Sequence, residues 1–264
     1  MVLRLAPTGG DAGQCLDQLT AAGIEAHRHG QVETAIVLDK PRDVTELPGF
    51  DTGQLSVQDA AAQLAATLLP CAPGMRVLDA CAAPGGKTLH LLQQYPEIRL
   101  DALDNVESRL RRVEQNLQRG GVSAKVMLGD AANPGDWFDG EAYDAILADV
   151  PCSASGVMRR HPDIKLLRRE SDIMPLRQHQ AGIIDALWSV LRPGGVMLYS
   201  TCSIFREENE LQVEAFLERH ADAREIELGT RDWGRQRPHG RQILPGIDDM
   251  DGFYYALLQR DTSA

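Results

Sequence analysis

The chain has 264 residues, 25% charged and 43% hydrophobic, an ordinary globular composition with room for a large domain and a small one. Acidic residues outnumber Lys and Arg by 38 to 27, and the net charge of −11 excludes a nonspecific polyanion binder, so a nucleic-acid partner would have to meet local basic patches. Apolar runs fall short of the roughly 20 residues that span a bilayer, no signal peptide is visible, and the five scattered cysteines contain no CxxC pair; we expect no membrane, no metal site, no disulfide framework, and a reduced cytoplasmic setting.

In chain order, residues 1–47 read as a small α/β subdomain, with a helix over Ala12 to Ala22 and a strand over Thr34 to Leu38. The stretch from Pro41 to Phe50, with Pro48-Gly49, reads as a linker into a catalytic domain over residues 48–264. Val57 to Leu69 is Ala- and Leu-rich and predicts a helix ended near Pro70 and Pro73. Strands and helices then alternate. Arg76 to Asp79, Leu100 to Leu103, Ala124 to Leu128, Ala145 to Ala148, Val196 to Thr201 and Tyr254 to Gln259 are predicted strands. Lys87 to Tyr95, Ser108 to Arg119, Gln178 to Leu191 and Glu207 to His220 are predicted helices, the third stopped by Pro193-Gly194-Gly195. Leu110, Val113 and Leu117 fall on one helical face. Repeated βα units give an α/β fold, a Rossmann-like parallel sheet with helices on both faces, whose ligands bind at the carboxyl ends of the strands.

One such end carries Asp79-Ala80-Cys81-Ala82-Ala83-Pro84-Gly85-Gly86-Lys87-Thr88. Small residues between a strand and a helix N-terminus let a ligand approach backbone N–H groups and a positive dipole end. A P-loop would need glycine where Cys81 stands, and the dinucleotide GxGxxG pattern is absent, which removes a nicotinamide-dependent oxidoreductase. Asp104 ends the next strand, at the spacing where an acidic side chain grips ribose hydroxyls. Asp130, in Gly129-Asp130, is placed either to accept from an adenine amino group or to cap a turn.

Two cysteines follow neighbouring strands, in Asp149-Val150-Pro151-Cys152-Ser153 and in Ser200-Thr201-Cys202-Ser203. A single buried cysteine is usually a small hydrophobe. Two at the ligand edge of one sheet, beside a cofactor loop, point to covalent catalysis. Spacing alone does not rank one thiol over the other.

These motifs together resemble the NOL1/NOP2/Sun family of RNA cytosine-5 methyltransferases, and the similarity extends over nearly the whole chain. It includes Gln58-Asp59, the run from Gly156 to Asp163, Leu244-Pro245-Gly246 and Asp251-Gly252-Phe253. The nearest branch is the bacterial one that methylates small-subunit (16S) ribosomal RNA. The resemblance implies an additional N-terminal helical RNA-binding domain in that branch, and none is expected within these residues. Val150 and Asn105 are small departures from the family pattern.

The resemblance implies a class I methyltransferase with S-adenosyl-L-methionine as cofactor and RNA as partner, acting as a monomer. Cys81, Ala82, Ala83, Pro84, Gly85, Gly86 and Lys87 would hold the methionine and ribose side, Asp104 the ribose and Asp130 the adenine. Asp149 would contact cofactor or target base. Cys202 would be the nucleophile and Cys152 would assist release of product. The chemistry explains the thiols: cytosine C5 is a poor nucleophile until a thiolate adds to C6 and converts the ring to an enamine, and a carboxyl group bonded to N3 and the exocyclic amine helps that addition. Arg159, Arg160, Lys165, Arg168 and Arg169 form one basic cluster, and Arg231, Arg235, Arg237 and Arg241 a second. Of these, Arg159, Arg160 and Arg168 are the expected RNA contacts, because they follow Cys152 closely. The rivals are a DNA cytosine methyltransferase attacking through Cys152, with no segment left for target recognition, and a catalytically silent RNA-binding module, which would not need every acidic group and both thiols.

Overall fold

The computed structural model describes residues 1–229 and 232–262. The first unit is an antiparallel sheet of β1 (Val2–Leu5), β2 (Ala26–Arg28), β3 (Ala35–Leu38) and β4 (Leu55–Val57), in the order β2-β3-β1-β4. Helix α1 (Ala12–Ala21) packs on it, capped by Asp11, whose carboxylate accepts from the Gly13 and Gln14 N–H groups. Leu3, Leu5, Leu19, Ile36, Leu38 and Leu55 form its core. The sheet runs past the residue-47 boundary read from the sequence, because β4 pairs with β1 through Leu3↔Val57 and Leu5↔Leu55.

The second sheet has nine strands among the described residues. Its parallel part is β5 (Arg76–Ala80), β6 (Arg99–Asp104), β7 (Lys125–Leu128), β8 (Tyr143–Asp149) and β9 (Leu191–Thr201), ordered β9-β8-β5-β6-β7. The chain steps outward from β5 to β7 and then returns to β8, so the order reverses between β5 and β8. Ligands of open α/β sheets bind at such a switch point. Short β10 (Ala223–Ile226), β11 (Arg235–Gln236) and β12 (Arg241–Ile243) precede β13 (Phe253–Arg260), which runs antiparallel beside β9.

Side chains of the central strands alternate between two cores, as a pleated sheet covered on both faces requires. Val77, Ala145, Leu147, Tyr255 and Leu257 face α2 (Ala60–Leu68), α3 (Gly86–Gln94) and α4 (Glu107–Arg119). Leu78, Ile146, Ala148, Tyr199 and Tyr254 face α6 (Glu170–Val190) and α7 (Glu210–Arg219), which follow the single turn α5 (Ile164–Leu167). No helix among the described residues is long and apolar enough to cross a membrane.

Helices α6 and α7 differ from expectation. Helix α6 starts at Glu170, not Gln178, and carries Pro175 inside, while the Arg169 N–H donates to Asp172 Oδ2 at 3.0 Å to close its first turn. The helix expected from Glu207 is broken: a 3₁₀ turn over Arg206–Glu208 is followed by Asn209 at φ −117° and ψ −108°, and α7 begins after it. Asn209 leaves helical geometry because its side chain bonds Ser203 O, Gln242 and Thr201.

A buried cation pins the sheet at the opposite end from the ligand edge. Arg76 donates to Asp101 at 2.7 Å, to Asp139 at 2.7 and 2.8 Å and to Glu141 O at 2.5 Å, while its guanidinium lies 4.5 Å from the Tyr143 ring centroid. The Tyr143 hydroxyl donates to the same Asp101 at 2.8 Å. Removing the arginine leaves Asp101 buried without its counter-ion. Arg76→Met is therefore expected to destabilise the fold by about 3–5 kcal/mol in chemical denaturation, and a loss under about 1 kcal/mol would show that the network is not needed.

Candidate active site

The loop after β5 turns through Cys81 at φ 63° and Gly85 at φ 96°. A Cβ on Gly85 would lie 2.9 Å from Val113 Cα, so only glycine lets the loop pack on α4 and open α3. Asp104 holds the loop from β6: its carboxylate accepts from the Ala83 N–H and the Val106 N–H, each at 3.1 Å. Arg109 sits over it, 3.7 Å from Asp104 and donating to Ala83 O at 3.2 Å. Beneath the loop, Asp79 is fully buried and accepts from the Thr88 hydroxyl at 2.6 Å; burial pushes its pKa up to about 7. Its Oδ1 has no partner among the described residues.

A cleft of about 200 Å³ runs along this edge, lined by Cys81, Ala83, Asp104, Asp130, Asp149, Cys152 and Cys202, with His179 from α6 on one wall. Ala82, Pro84, Gly85 and Gly86 form the turn behind it, and Lys87 reaches the site through Asp149. The lining suits S-adenosylmethionine. Three carboxylates match a cationic ligand with hydroxyl and amino donors, each Asp104 oxygen keeps lone-pair capacity, and the N–H groups opening α3 face the loop. Asp130 is also a turn residue, accepting from Ala132 N at 3.0 Å and Asn133 Nδ2 at 2.9 Å.

Asp149 ends β8 and is gripped from two sides, by Lys87 Nζ at 2.6 Å and by the Ser200 hydroxyl at 2.7 Å. Burial opposes charge on Lys87, but the adjacent Asp149 carboxylate holds its pKa above the usual lysine value. Cys152 and Cys202 lie with sulfurs 3.5 Å apart. The Cys202 thiol is pulled below its usual range by the bond from Cys152, which outweighs burial, and Lys87 adds to the pull. Cys152 is pushed up by that bond, by burial and by nearby Glu208. The pair is thus asymmetric, with Cys202 the more acidic of the two thiols.

Sequence reading missed the residues beneath this pair. Glu208 is fully buried and accepts from Ser153 N, Ser153 Oγ, Ser203 Oγ and Gln180 Nε2. Gly156 donates to Cys202 O at 2.8 Å and packs against Gly252, leaving no room for a Cβ. The repeated Cys-Ser dipeptide was the available signal, since each serine meets the same carboxylate.

The expected RNA contacts are all engaged within the protein. Arg168 donates to Ser153 O at 2.7 Å and Arg159 to Met250 O at 3.1 Å, and Arg160 pairs with buried Asp251. Of the second cluster, Arg231 lies outside the described residues. Arg241 is a correction to that basic patch: it is buried, donating to Trp233 O and Gly234 O. Arg237 pairs with Glu210 at 2.7 Å.

A switch-point cleft behind a small-residue loop, walled by Asp104 and Asp130, is the architecture of class I S-adenosylmethionine-dependent methyltransferases. Residues 66–259 match the model of the 16S rRNA methyltransferase RsmB/F family, and the chain belongs to that family, as the sequence motifs implied. It is 54% identical over 242 residues to ribosomal RNA small subunit methyltransferase B of Vibrio cholerae, covering 92% of this chain and 54% of that protein. With the protein of the same description from Xylella fastidiosa (strain 9a5c) it shares 49% identity over 261 residues, covering 99% and 62%. A crystal structure of a methyltransferase homologue from Pyrococcus horikoshii superposes with a TM-score of 0.83 at 26% identity, over 98% of this chain and 86% of the other. The chain spans little more than half the length of these curated relatives.

The cofactor assignment has a direct check. Asp104→Ala removes the carboxylate that faces the cleft, and S-adenosylmethionine binding by calorimetry is expected to weaken by about 1–3 kcal/mol. Unchanged affinity would detach Asp104 from the ribose.

Proposed function

We propose that this chain carries the catalytic machinery for transferring a methyl group from S-adenosylmethionine to C5 of a cytosine in RNA, with 16S ribosomal RNA as the substrate and a cysteine adduct at C6 as the intermediate. The observation that carries this reading is the pair of thiols 3.5 Å apart at the rim of the cofactor cleft, one drawn toward the thiolate and the other toward the thiol. The names of the relatives, small-subunit ribosomal RNA methyltransferases, support the substrate.

Bound S-adenosylmethionine supplies an electrophilic methyl group. Cys202 attacks C6 of the flipped-out cytosine, and the electron pair moves toward C5, which becomes the nucleophile. Asp149, held in place by Lys87 and Ser200, accepts from the exocyclic amine and, carrying a proton, donates it to N3 as negative charge develops on the ring. Once C5 is methylated it still carries its proton. Water takes the C5 proton, the electron pair of that C–H bond restores the C5–C6 double bond and expels the Cys202 sulfur, and the Cys152 thiol 3.5 Å away hands its proton to that sulfur as the product leaves.

Arg159, Arg160 and Arg168 line the approach for the RNA backbone. Arg168 is tied to the Cys152 loop through Ser153 O, while Arg159 and Arg160 are tied to Met250 O and Asp251, in a neighbouring pocket that also includes Asp59 and Asp249. On a chain of net charge −11, this local patch would supply attraction that the whole molecule lacks.

The two thiols have separable roles, and single substitutions distinguish them. Cys202→Ala is expected to reduce methylation of small-subunit RNA to background and to form no RNA-linked protein. Cys152→Ala is expected to attack and methylate, then stall as a species that survives a denaturing gel. A trapped complex in Cys202→Ala with none in Cys152→Ala would exchange the roles.

A further inference from the structure

Glu208 sits under both cysteine turns without lining the cleft. Its carboxylate takes four donors: Ser153 N at 2.8 Å, Ser153 Oγ at 2.6 Å, Ser203 Oγ at 2.5 Å and Gln180 Nε2 at 3.0 Å. An ionised carboxylate has about four acceptor positions, so the arrangement fills it as an acceptor. Ser153 follows Cys152 and Ser203 follows Cys202, so one anion ties together the backbone that carries both sulfurs. Gln180 extends the grip to Pro151 O at 2.9 Å, and Ser155 Oγ extends it to Ile204 N at 3.0 Å.

Tethering alone does not need a charge. Burying an ion costs several kcal/mol, and serines or an amide could link two turns without that cost. The charge gains a purpose from what surrounds the sulfurs. From α3 comes Lys87, from β8 Asp149, from the 3₁₀ turn Glu208, from β9 the buried Tyr199, and from α6 His179 on the cleft wall. At Cys202 the Asp149 carboxylate and the Lys87 ammonium act in opposite directions, whereas at Cys152 Glu208 acts as an anion with no cation among the described residues set against it. The acidic group that distinguishes the two ends of the sulfur pair is therefore Glu208.

We propose that Glu208 is a positioning residue that fixes both cysteine turns through Ser153 and Ser203, and whose negative charge keeps the proton of the thiol pair on Cys152, leaving Cys202 as the thiolate. Cys202 gives its proton to solvent, while the Cys152 proton stays and is shared across the 3.5 Å contact. This rests on the reading of Cys202 as nucleophile, but its test involves neither RNA nor methyl transfer, so it can fail independently of that reading.

The test is the initial rate of iodoacetamide alkylation across a pH series, resolved by peptide mass at Cys152 and Cys202 on singly labelled protein. In the unsubstituted chain Cys202 should react at lower pH than Cys152. Glu208→Gln keeps the shape and removes the charge. The Cys152 midpoint should then fall by roughly one pH unit or more, narrowing the gap between the thiols, whereas a purely structural role would leave the midpoints in place. An unchanged Cys152 midpoint in a variant that melts like the parent would overturn the proposal. Should Glu208→Gln not fold, Glu208→Asp decides: it keeps the charge but withdraws it by one methylene, and the Cys152 midpoint should fall by a smaller amount. No movement there would equally overturn it.

Discussion

The parallel register of β8 and β9 is the constraint on which the site depends. Ala148 pairs with Tyr199 and Asp149 with Ser200, and the Val150 N–H closes the ladder on Ser200 O. A slip of one residue would send Ile146, Ala148 and Tyr199 out of one core and into the other, so burial on both faces locks the register. With the strands locked, the two segments leave the sheet side by side. Cys152 and Cys202 then meet within a few residues of the last paired position, and Asp149 stands between them and Lys87. Because the strand order reverses between β5 and β8, the loop that opens α3 emerges beside this pair.

Electrostatics in the site are sorted by depth. The deepest layer is acidic: Asp79 beneath the loop, and Asp104, Asp130 and Asp149 along the cleft. This suits a cationic cofactor and would repel RNA phosphates if it lay at the surface. Lys87 is the cation within that layer, and its contact with Asp149 at 2.6 Å raises the lysine pKa above its usual value next to the Cys202 sulfur. The basic groups that suit RNA sit further out, on the segment after Cys152, where they bond backbone carbonyls and Asp251.

Much of this was legible in the sequence because it rests on local signals. The small-residue loop, the acidic strand ends and the two Cys-Ser motifs each sit where a strand stops, and hydrophobic period located those strands. What was not legible depends on tertiary partners. Pro175 hid the first turns of α6, and the break before α7 follows from what the Asn209 side chain finds across the fold. That break carries Glu208 under the cysteines, a placement that no periodicity encodes. Strands β10 to β12 are short and partly polar, and β4 falls in a stretch that carries no predicted element except at Val57, which reads as the opening of the next helix until its pairing with β1 is known. Arg241 reads as surface in a basic run, yet backbone carbonyls of the loop before it satisfy the charge in the interior.

The central claim is that one identified sulfur attacks the base. The most direct measurement is to react the unsubstituted chain with small-subunit RNA containing 5-fluorocytidine in the presence of S-adenosylmethionine, then digest both components and locate the crosslink by mass spectrometry. Fluorine at C5 blocks the final loss of a proton and freezes the adduct. The account predicts a methylated fluorocytidine joined to the peptide containing Cys202. A crosslink on the Cys152 peptide, or methylated RNA released with no adduct on either cysteine, would contradict it.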